Sequence, residues 1–139
     1  MYKLFIADDE AIIREGLRCL LDWETLGFTI AGEAANGDAA LQFLLSETPD
    51  LVLLDIRMPG MSGLDVVRIA REHGYDGKVV ILSGYSDFNY ARTAIRYGVL
   101  SYLTKPIDED ELLEIVSQIR NQLDSDASAR DSSAHYRQK

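Results

Sequence analysis

The ten residues LVLLDIRMPG, residues 51–60, decide how this chain can fold. Four apolar residues in succession predict a strand buried on both faces, as in a parallel sheet. Asp55 follows at once, and the Pro59-Gly60 pair then predicts a turn. Burying a carboxylate is costly unless it has a partner. Asp55 is therefore the first candidate site residue.

Strands and helices alternate five times along the sequence. Four further strands are predicted at YKLFIA (2–7), FTIAGEA (28–34), VVIL (79–82) and VLSYL (99–103). This alternation predicts a parallel sheet with helices on both faces. The first, third and fourth strands are the most uniformly apolar, so they are predicted to be central. The resulting fold class is α/β: a single doubly wound, five-stranded parallel sheet of order 2-1-3-4-5, of the flavodoxin-like type, with right-handed crossovers.

The composition limits the number of domains and the kinds of ligand that the chain can bind. With 139 residues, 47% of them hydrophobic, the chain can form one compact domain. The formal net charge of -9 argues against direct binding of nucleic acid and suits a cationic ligand. We expect no membrane span and no signal peptide. The single cysteine, Cys19, is predicted to pack on an apolar helix face and fits a cytoplasmic location.

The character of the sequence changes after Leu123. The last residues, DSDASARDSSAHYRQK, are rich in serine and charge and have almost no apolar anchor. We therefore predict a domain over residues 1–123 and a linker or disordered tail over residues 124–139.

The candidate site residues lie at the carboxyl ends of the predicted strands. In an open parallel sheet, ligand sites lie at this edge. The first strand ends in Asp8 and Asp9, the third in Asp55, the fourth in Ser83, and the fifth is followed by Lys105. Since the first and third strands are predicted neighbours, the three acids should converge. Each acid taken singly could instead cap a helix or line a solvated edge.

Three crowded carboxylates repel one another, and a hard cation such as Mg²⁺ or an ammonium group relieves that repulsion. A carboxylate can also attack phosphorus and form an aspartyl phosphate. Asp55 is the best nucleophile candidate because it is central, whereas Asp8 and Asp9 suit metal binding. Lys105 and Ser83 supply the cationic and hydroxyl groups that would hold a phosphoryl group. The sequence has neither a Ser-His-Asp set nor a glycine loop long enough for a nucleotide.

Four motifs, ADDE (7–10), LLDIRMPGMSGLD (53–65), ILSGYSD (81–87) and YLTKPI (102–107), resemble the response-regulator receiver domain of two-component signalling. The resemblance covers roughly residues 2 to 123. It implies a signalling domain rather than an enzyme, with chemistry limited to its own phosphorylation and dephosphorylation. It also implies Mg²⁺ as cofactor and a sensor histidine kinase as phosphoryl donor.

The resemblance assigns roles by position. Asp55 would be the phosphoacceptor and a metal ligand, beside the acidic pair Asp8 and Asp9. The Arg57 backbone carbonyl would be a further metal ligand, the Ser83 hydroxyl would contact the phosphoryl group, and Lys105 would be the ion-pair partner of that group. Tyr102 would switch rotamer, and the Lys105-Pro106 bond would be cis. The side chains of Arg57 and Tyr85 would tune the lifetime of the phosphoryl group.

Two further stretches resemble receivers that are joined to AraC-type DNA-binding output domains, namely LDWETLGF (21–28) and GYSDFNYARTAIRYG (84–98). The implied output is a changed face formed by the fourth predicted helix, the fifth strand and the last helix. That face would dimerise on phosphorylation, with Phe88, Tyr90 and Tyr97 as candidate surface anchors, although core packing would also explain these aromatics. DNA would be bound only through an output domain outside these residues, and no membrane is involved. A stand-alone receiver is the competing interpretation.

Two other functions use the same acids. A Mg²⁺-dependent phosphohydrolase of the haloacid-dehalogenase type also has a carboxylate nucleophile, but its acids follow a DxD pattern after the first strand. Here Asp8 and Asp9 are adjacent, and the lone acid follows the third strand. The other alternative is a pseudo-receiver that binds partners without being phosphorylated.

Overall fold

The structure is a computed structural model that describes residues 1–84 and 88–137, and for Phe88, Tyr90 and residues 130–137 the backbone alone. Strands and helices alternate as predicted. In chain order they are β1 (Tyr2–Ala7), α1 (Ala11–Leu20), α2 (Trp23–Leu26), β2 (Phe28–Ala34), α3 (Gly37–Glu47), β3 (Leu51–Asp55), α4 (Gly63–Glu72), β4 (Lys78–Ser83), α5 (Phe88–Arg96), β5 (Ser101–Thr104) and α6 (Glu109–Arg137).

The five strands form one sheet in the order β2-β1-β3-β4-β5. Every adjacent pair is parallel, so all five carboxyl ends meet at one edge. β3 is buried along its whole length, as its apolar run requires. The predicted fold class and strand order are therefore confirmed.

Each face of the sheet has its own core, because alternate strand residues point to opposite faces. Phe5 and Val52 belong to the cluster under α3 and α4, and Leu4 and Leu53 to the cluster under α1 and α6. Trp23 is 4% exposed within the second cluster, where its Nε1 donates to the Leu17 carbonyl at 2.9 Å.

The prediction for Cys19 was wrong, because its side chain is exposed. Apolar residues of α1 extend around more of the helix than the sheet covers. Leu17 is buried, whereas Ile12 is 73% exposed. A helix that lies over one side of a sheet buries a single stripe, and Cys19 falls outside it.

The short helix α2 was not predicted. Its N-terminus is capped by Asp22, whose side chain accepts a hydrogen bond from the Thr25 N–H at 3.3 Å. Gly27 ends it with φ +94°, a conformation that glycine adopts without strain. An aspartate three residues before a threonine was the available signal, but a single turn of helix has too short a pattern to detect.

The last helix of the chain extends beyond Leu123. α6 continues without a break to Arg137, so these residues begin as helix rather than as chain without regular structure. The Lys78 ammonium lies 3.1 Å from Asp126 and ties this extension to β4. A single apolar stripe was the sequence criterion for helix, and the extension lacks one. Within the part of the chain that the structure describes, no helix combines the length and apolar character needed to cross a membrane.

Candidate functional site

Three acids meet at the carboxyl edge of the sheet. In the parallel pairing of β1 with β3, Ala7 lies opposite Leu54, so the next residues, Asp8 and Asp55, lie at the same height along the two strands. Asp8, Asp9 and Asp55 each offer a carboxylate oxygen within 4.8 Å of the others. The predicted convergence of the three acids is confirmed.

Asp8 is held at all of its polar atoms. Its N–H donates to the Ala34 carbonyl at 3.1 Å, and its own carbonyl accepts from Arg14 Nη1 at 2.6 Å. One carboxylate oxygen accepts from the Glu10 N–H at 2.9 Å, and the other from Lys105 Nζ at 2.7 Å. With 1% exposure, Asp8 is a fixed and buried acid, whereas its neighbour Asp9 is exposed.

Asp55 is positioned by the tight approach of α4 to the end of β3. The Gly63 N–H donates to the Ile56 carbonyl at 2.7 Å. A Cβ atom at Gly63 would lie 2.1 Å from the Asp55 carbonyl oxygen, so only glycine permits this packing. Ser62 caps the N-terminus of α4, and its hydroxyl accepts from the Asp65 N–H at 3.2 Å.

Electrostatic repulsion is concentrated on Asp55, which is 6% exposed. Burial and the charge of Asp8 raise the pKa of Asp55 to about 6, although the Lys105 charge opposes the shift. Lys105 Nζ lies 3.5 Å from the Asp55 carboxylate. Burial alone would lower the pKa of Lys105, but its hydrogen bond to Asp8 and the charge of Asp55 outweigh burial and raise it. The ammonium therefore remains charged between two acids.

Ser83 ends β4 beside this cluster. It is buried, and β4 pairs with β3 so that Asp55 lies opposite Leu82, the residue before Ser83. The Ser83 carbonyl accepts from the Lys105 N–H at 2.7 Å, which links the ends of β4 and β5. The Lys105-Pro106 peptide bond is cis, as the resemblance implied.

The remaining predicted residues lie farther out. Tyr102 is half-buried and packs against the core under α3 and α4. Arg57 is exposed and lines a cleft beside the acids together with Asp9 and Met58. Tyr97 also packs against the core, which favours the packing interpretation for it. Tyr85 and the side chains of Phe88 and Tyr90 lie outside the described residues.

The three acids fit a hard divalent cation. Magnesium prefers oxygen ligands and uses one or two carboxylates plus water and substrate oxygens. Three carboxylate oxygens within 4.8 Å of one another provide such a donor set. Since burial and like charge already raise the pKa of Asp55, a cation would also relieve repulsion.

Sequence reasoning missed Arg14, which contacts Asp8 directly. Arg14 Nε pairs with Glu33 of β2 at 3.2 Å, and Arg18 pairs with the same carboxylate. No spacing signal pointed to Arg14, because its target at the site is a backbone carbonyl rather than a side chain.

Comparison with known proteins identifies the family of this chain. The family model of the response regulator receiver domain matches residues 4–117. YesN of Bacillus subtilis (strain 168), an uncharacterized transcriptional regulatory protein, is 36% identical over 126 residues, covering 88% of this chain and 34% of YesN. The transcriptional regulatory protein HptR of Staphylococcus aureus (strain NCTC 8325 / PS 47) is 40% identical over 119 residues, covering 86% of this chain and 46% of HptR.

A solved structure agrees in both sequence and fold. The REC domain of AraT, a response regulator from Geobacillus stearothermophilus, superposes with a TM-score of 0.84 at 39% identity, covering 91% of this chain and 98% of that domain. The chain spans less than half the length of YesN and HptR. A family match over most of the sequence, with the same fold, leads to one conclusion: the chain belongs to the response regulator receiver domain family.

Proposed function

We propose that this receiver accepts a phosphoryl group on Asp55 from the phosphohistidine of a sensor histidine kinase, in a Mg²⁺-dependent reaction. The observation that carries the proposal is the placement of Asp55. Its carboxylate lies against two other acids and 3.5 Å from Lys105 Nζ, at the edge where parallel sheets bind ligands. A buried acid in such surroundings suits reaction with phosphorus better than structural capping.

The proposed step is a phosphoryl transfer. A carboxylate oxygen of Asp55 attacks the phosphorus atom, and the phosphorus–nitrogen bond of the donor breaks. Its electron pair remains on the donor imidazole, which takes up a proton. With a pKa of about 6, Asp55 is ionised at neutral pH and is ready to attack. Lys105 and Ser83 are the groups that would then bind phosphoryl oxygens.

The ligands proposed for Mg²⁺ are the carboxylates of Asp8, Asp9 and Asp55 and the backbone carbonyl of Arg57. Their oxygen-donor chemistry and the closeness of the three acids support this assignment. When bound, the ion would neutralise charge on the phosphoryl oxygens. Asp8 is already oriented by Lys105 and Glu10, so it would bind without rearrangement, while exposed Asp9 is free to adjust.

We also propose that phosphorylation changes the conformation of this chain in the way that the family resemblance implies. Ser83 would move toward the phosphoryl group and Tyr102 would change rotamer, shifting an existing equilibrium. The face of α5, β5 and α6 would then dimerise and control an AraC-type DNA-binding domain, with residues 124–139 as linker, in the cytoplasm. The names of YesN and HptR as transcriptional regulatory proteins, each more than twice as long as the matched region, support this.

A small phosphodonor such as acetyl phosphate tests the proposal. With Mg²⁺ present, intact-mass spectrometry should show a single phosphoryl adduct on the wild-type protein and none on Asp55→Asn. Asp65→Asn is the matched control, since Asp65 lines the same cleft but is an exposed partner of Arg68, and it should keep the adduct.

Three results would contradict the proposal or favour its alternatives. An adduct that persists in Asp55→Asn would contradict the assignment of the phosphoacceptor. Absence of any wild-type adduct would favour an unphosphorylated pseudo-receiver. Multiple turnover of an external phosphate ester would favour a phosphohydrolase.

A further inference from the structure

Arg14 connects the acidic pair to the edge strand of the sheet. It lies in α1, and its Nη1 donates to the Asp8 carbonyl at 2.6 Å. Its Nε donates to the Glu33 carboxylate in β2 at 3.2 Å. The Arg14 and Glu33 side chains are only 19% and 24% exposed. One guanidinium therefore joins α1, the end of β1, and β2.

The carbonyl that Arg14 holds has a particular place in the chain. It belongs to the peptide unit between Asp8 and Asp9, and a peptide unit is planar. Fixing its oxygen restricts rotation of that plane and therefore the relative placement of the two acids. The backbone at Asp9 sets the direction from which its exposed carboxylate can reach the site. Arg14 thus acts on the spacing of the pair through the backbone carbonyl of Asp8 rather than through a carboxylate.

We propose that Arg14 is a positioning residue for the Asp8–Asp9 pair, anchored by Glu33, and that it strengthens divalent-cation binding. This inference rests on the metal site of the proposed function. The expected effect of removing Arg14 on Mg²⁺ affinity is opposite to the effect expected from its charge alone. Removing a cation beside an acidic cluster makes the cluster more negative, which by Coulomb attraction alone would tighten Mg²⁺ binding. Loss of the positioning of Asp8 and Asp9 would instead weaken Mg²⁺ binding.

Arg18 provides a matched control. It lies one turn farther along α1 and pairs with the same Glu33 carboxylate, while the contact with the Asp8 carbonyl comes from Arg14. Replacing either arginine by methionine removes one positive charge and keeps an unbranched apolar stem. The two variants therefore differ mainly in the hydrogen bond to the Asp8–Asp9 peptide.

Isothermal titration calorimetry with MgCl₂ on the whole chain measures the effect. Arg14→Met should weaken Mg²⁺ binding about tenfold, the lower end of the range for residues that orient metal ligands. Arg18→Met should leave binding unchanged or slightly tighter. The inference is overturned if Arg14→Met binds Mg²⁺ as tightly as wild type or more tightly, or if both variants weaken equally.

A second measurement needs no metal. The Glu10 N–H donates to the Asp8 carboxylate at 2.9 Å, so its amide hydrogen exchange in EDTA reports on the order of this turn. Exchange should accelerate in Arg14→Met and not in Arg18→Met, and equal exchange in both would overturn the inference. If Arg14→Met does not fold by circular dichroism, Arg14→Lys replaces it in both measurements, because one ammonium cannot reproduce the fork between Asp8 and Glu33.

These outcomes separate the inference from the proposed function. Failure of the wild-type protein to bind Mg²⁺ would contradict the proposed function, and the metal-free exchange measurement would still decide whether Arg14 orders the Asp8–Asp9 turn. Mg²⁺ binding that is normal in wild type and undiminished in Arg14→Met would overturn the positioning role alone.

Discussion

The two edges of the sheet treat buried polar groups in opposite ways. At the amino edge, Arg71 donates to the carbonyls of Tyr97 at 3.0 Å, Tyr75 at 2.9 Å and Gly77 at 2.8 Å. The Tyr75 hydroxyl donates to the Pro49 carbonyl at 2.6 Å. At the carboxyl edge, Asp8 and Asp55 are buried side by side, and burial with like charge raises the pKa of Asp55 to about 6.

This difference separates stability from function. Burial lowers the pKa of Arg71, but its guanidinium donates to three backbone carbonyls and so joins α4, the end of α5, and the turn before β4. Asp55 is matched by Lys105 but also faces Asp8, and its ionised form is disfavoured. Sites of binding and chemistry commonly give up stability in this way. The amino edge should therefore lose stability when its polar group is removed, and the carboxyl edge should gain it.

The largest expected effect is at Arg71. Arg71→Met keeps the apolar stem but leaves several partly buried carbonyls without a donor, and we expect the free energy of unfolding to fall by about 3 kcal/mol. Urea denaturation measures it. Arg68→Met on the same helix removes only exposed pairs with Asp65 and Glu72 and should cost less than about 0.5 kcal/mol. Equal losses in the two variants would contradict the role given to Arg71.

A smaller effect of opposite sign is expected at Asp55. Asp55→Asn removes a charge that the folded state disfavours, so the metal-free protein at neutral pH should become more stable. Because asparagine also gives up the ion pair with Lys105, we expect a gain of about 1 kcal/mol. Urea denaturation in EDTA measures it. Asp50→Asn is the control, since Asp50 accepts a hydrogen bond from the Lys3 N–H at 2.8 Å and should show no gain. A loss of stability in Asp55→Asn would contradict the comparison.

The smallest effect is the pH dependence of that gain. The folded-state pKa of Asp55, about 6, lies above the unfolded value of about 3.9. The folded state therefore holds the proton more tightly, and ionising Asp55 costs stability. In EDTA, the stability advantage of Asp55→Asn should be near zero at about pH 4, grow up to about pH 6 and level off above it. An advantage that is constant with pH would show that the Asp55 charge is not its source.

Much of the carboxyl edge could be predicted from the sequence, because apolar runs mark where the strands end. The apolar run of β3 placed Asp55, and the strand order brought Asp8 beside it. The polar contacts of Arg14 and Arg71 could not be predicted in the same way. Their partners are carbonyls contributed by distant segments, and any residue supplies a carbonyl, so no residue type marks them. The exposure of Cys19 depended on how much of α1 the sheet covers, which periodicity does not determine.

Asp55, and not a neighbouring acid, is proposed to carry the phosphoryl group. Borohydride reduces an acyl phosphate to the alcohol but leaves free carboxylates intact, so it converts a phosphorylated aspartate to homoserine. The protein is treated with acetyl phosphate and Mg²⁺, reduced, digested and sequenced by mass spectrometry. Phosphorylation of Asp55 should give homoserine at position 55 alone. Homoserine at position 8 or 9, or at none of these positions, would contradict it.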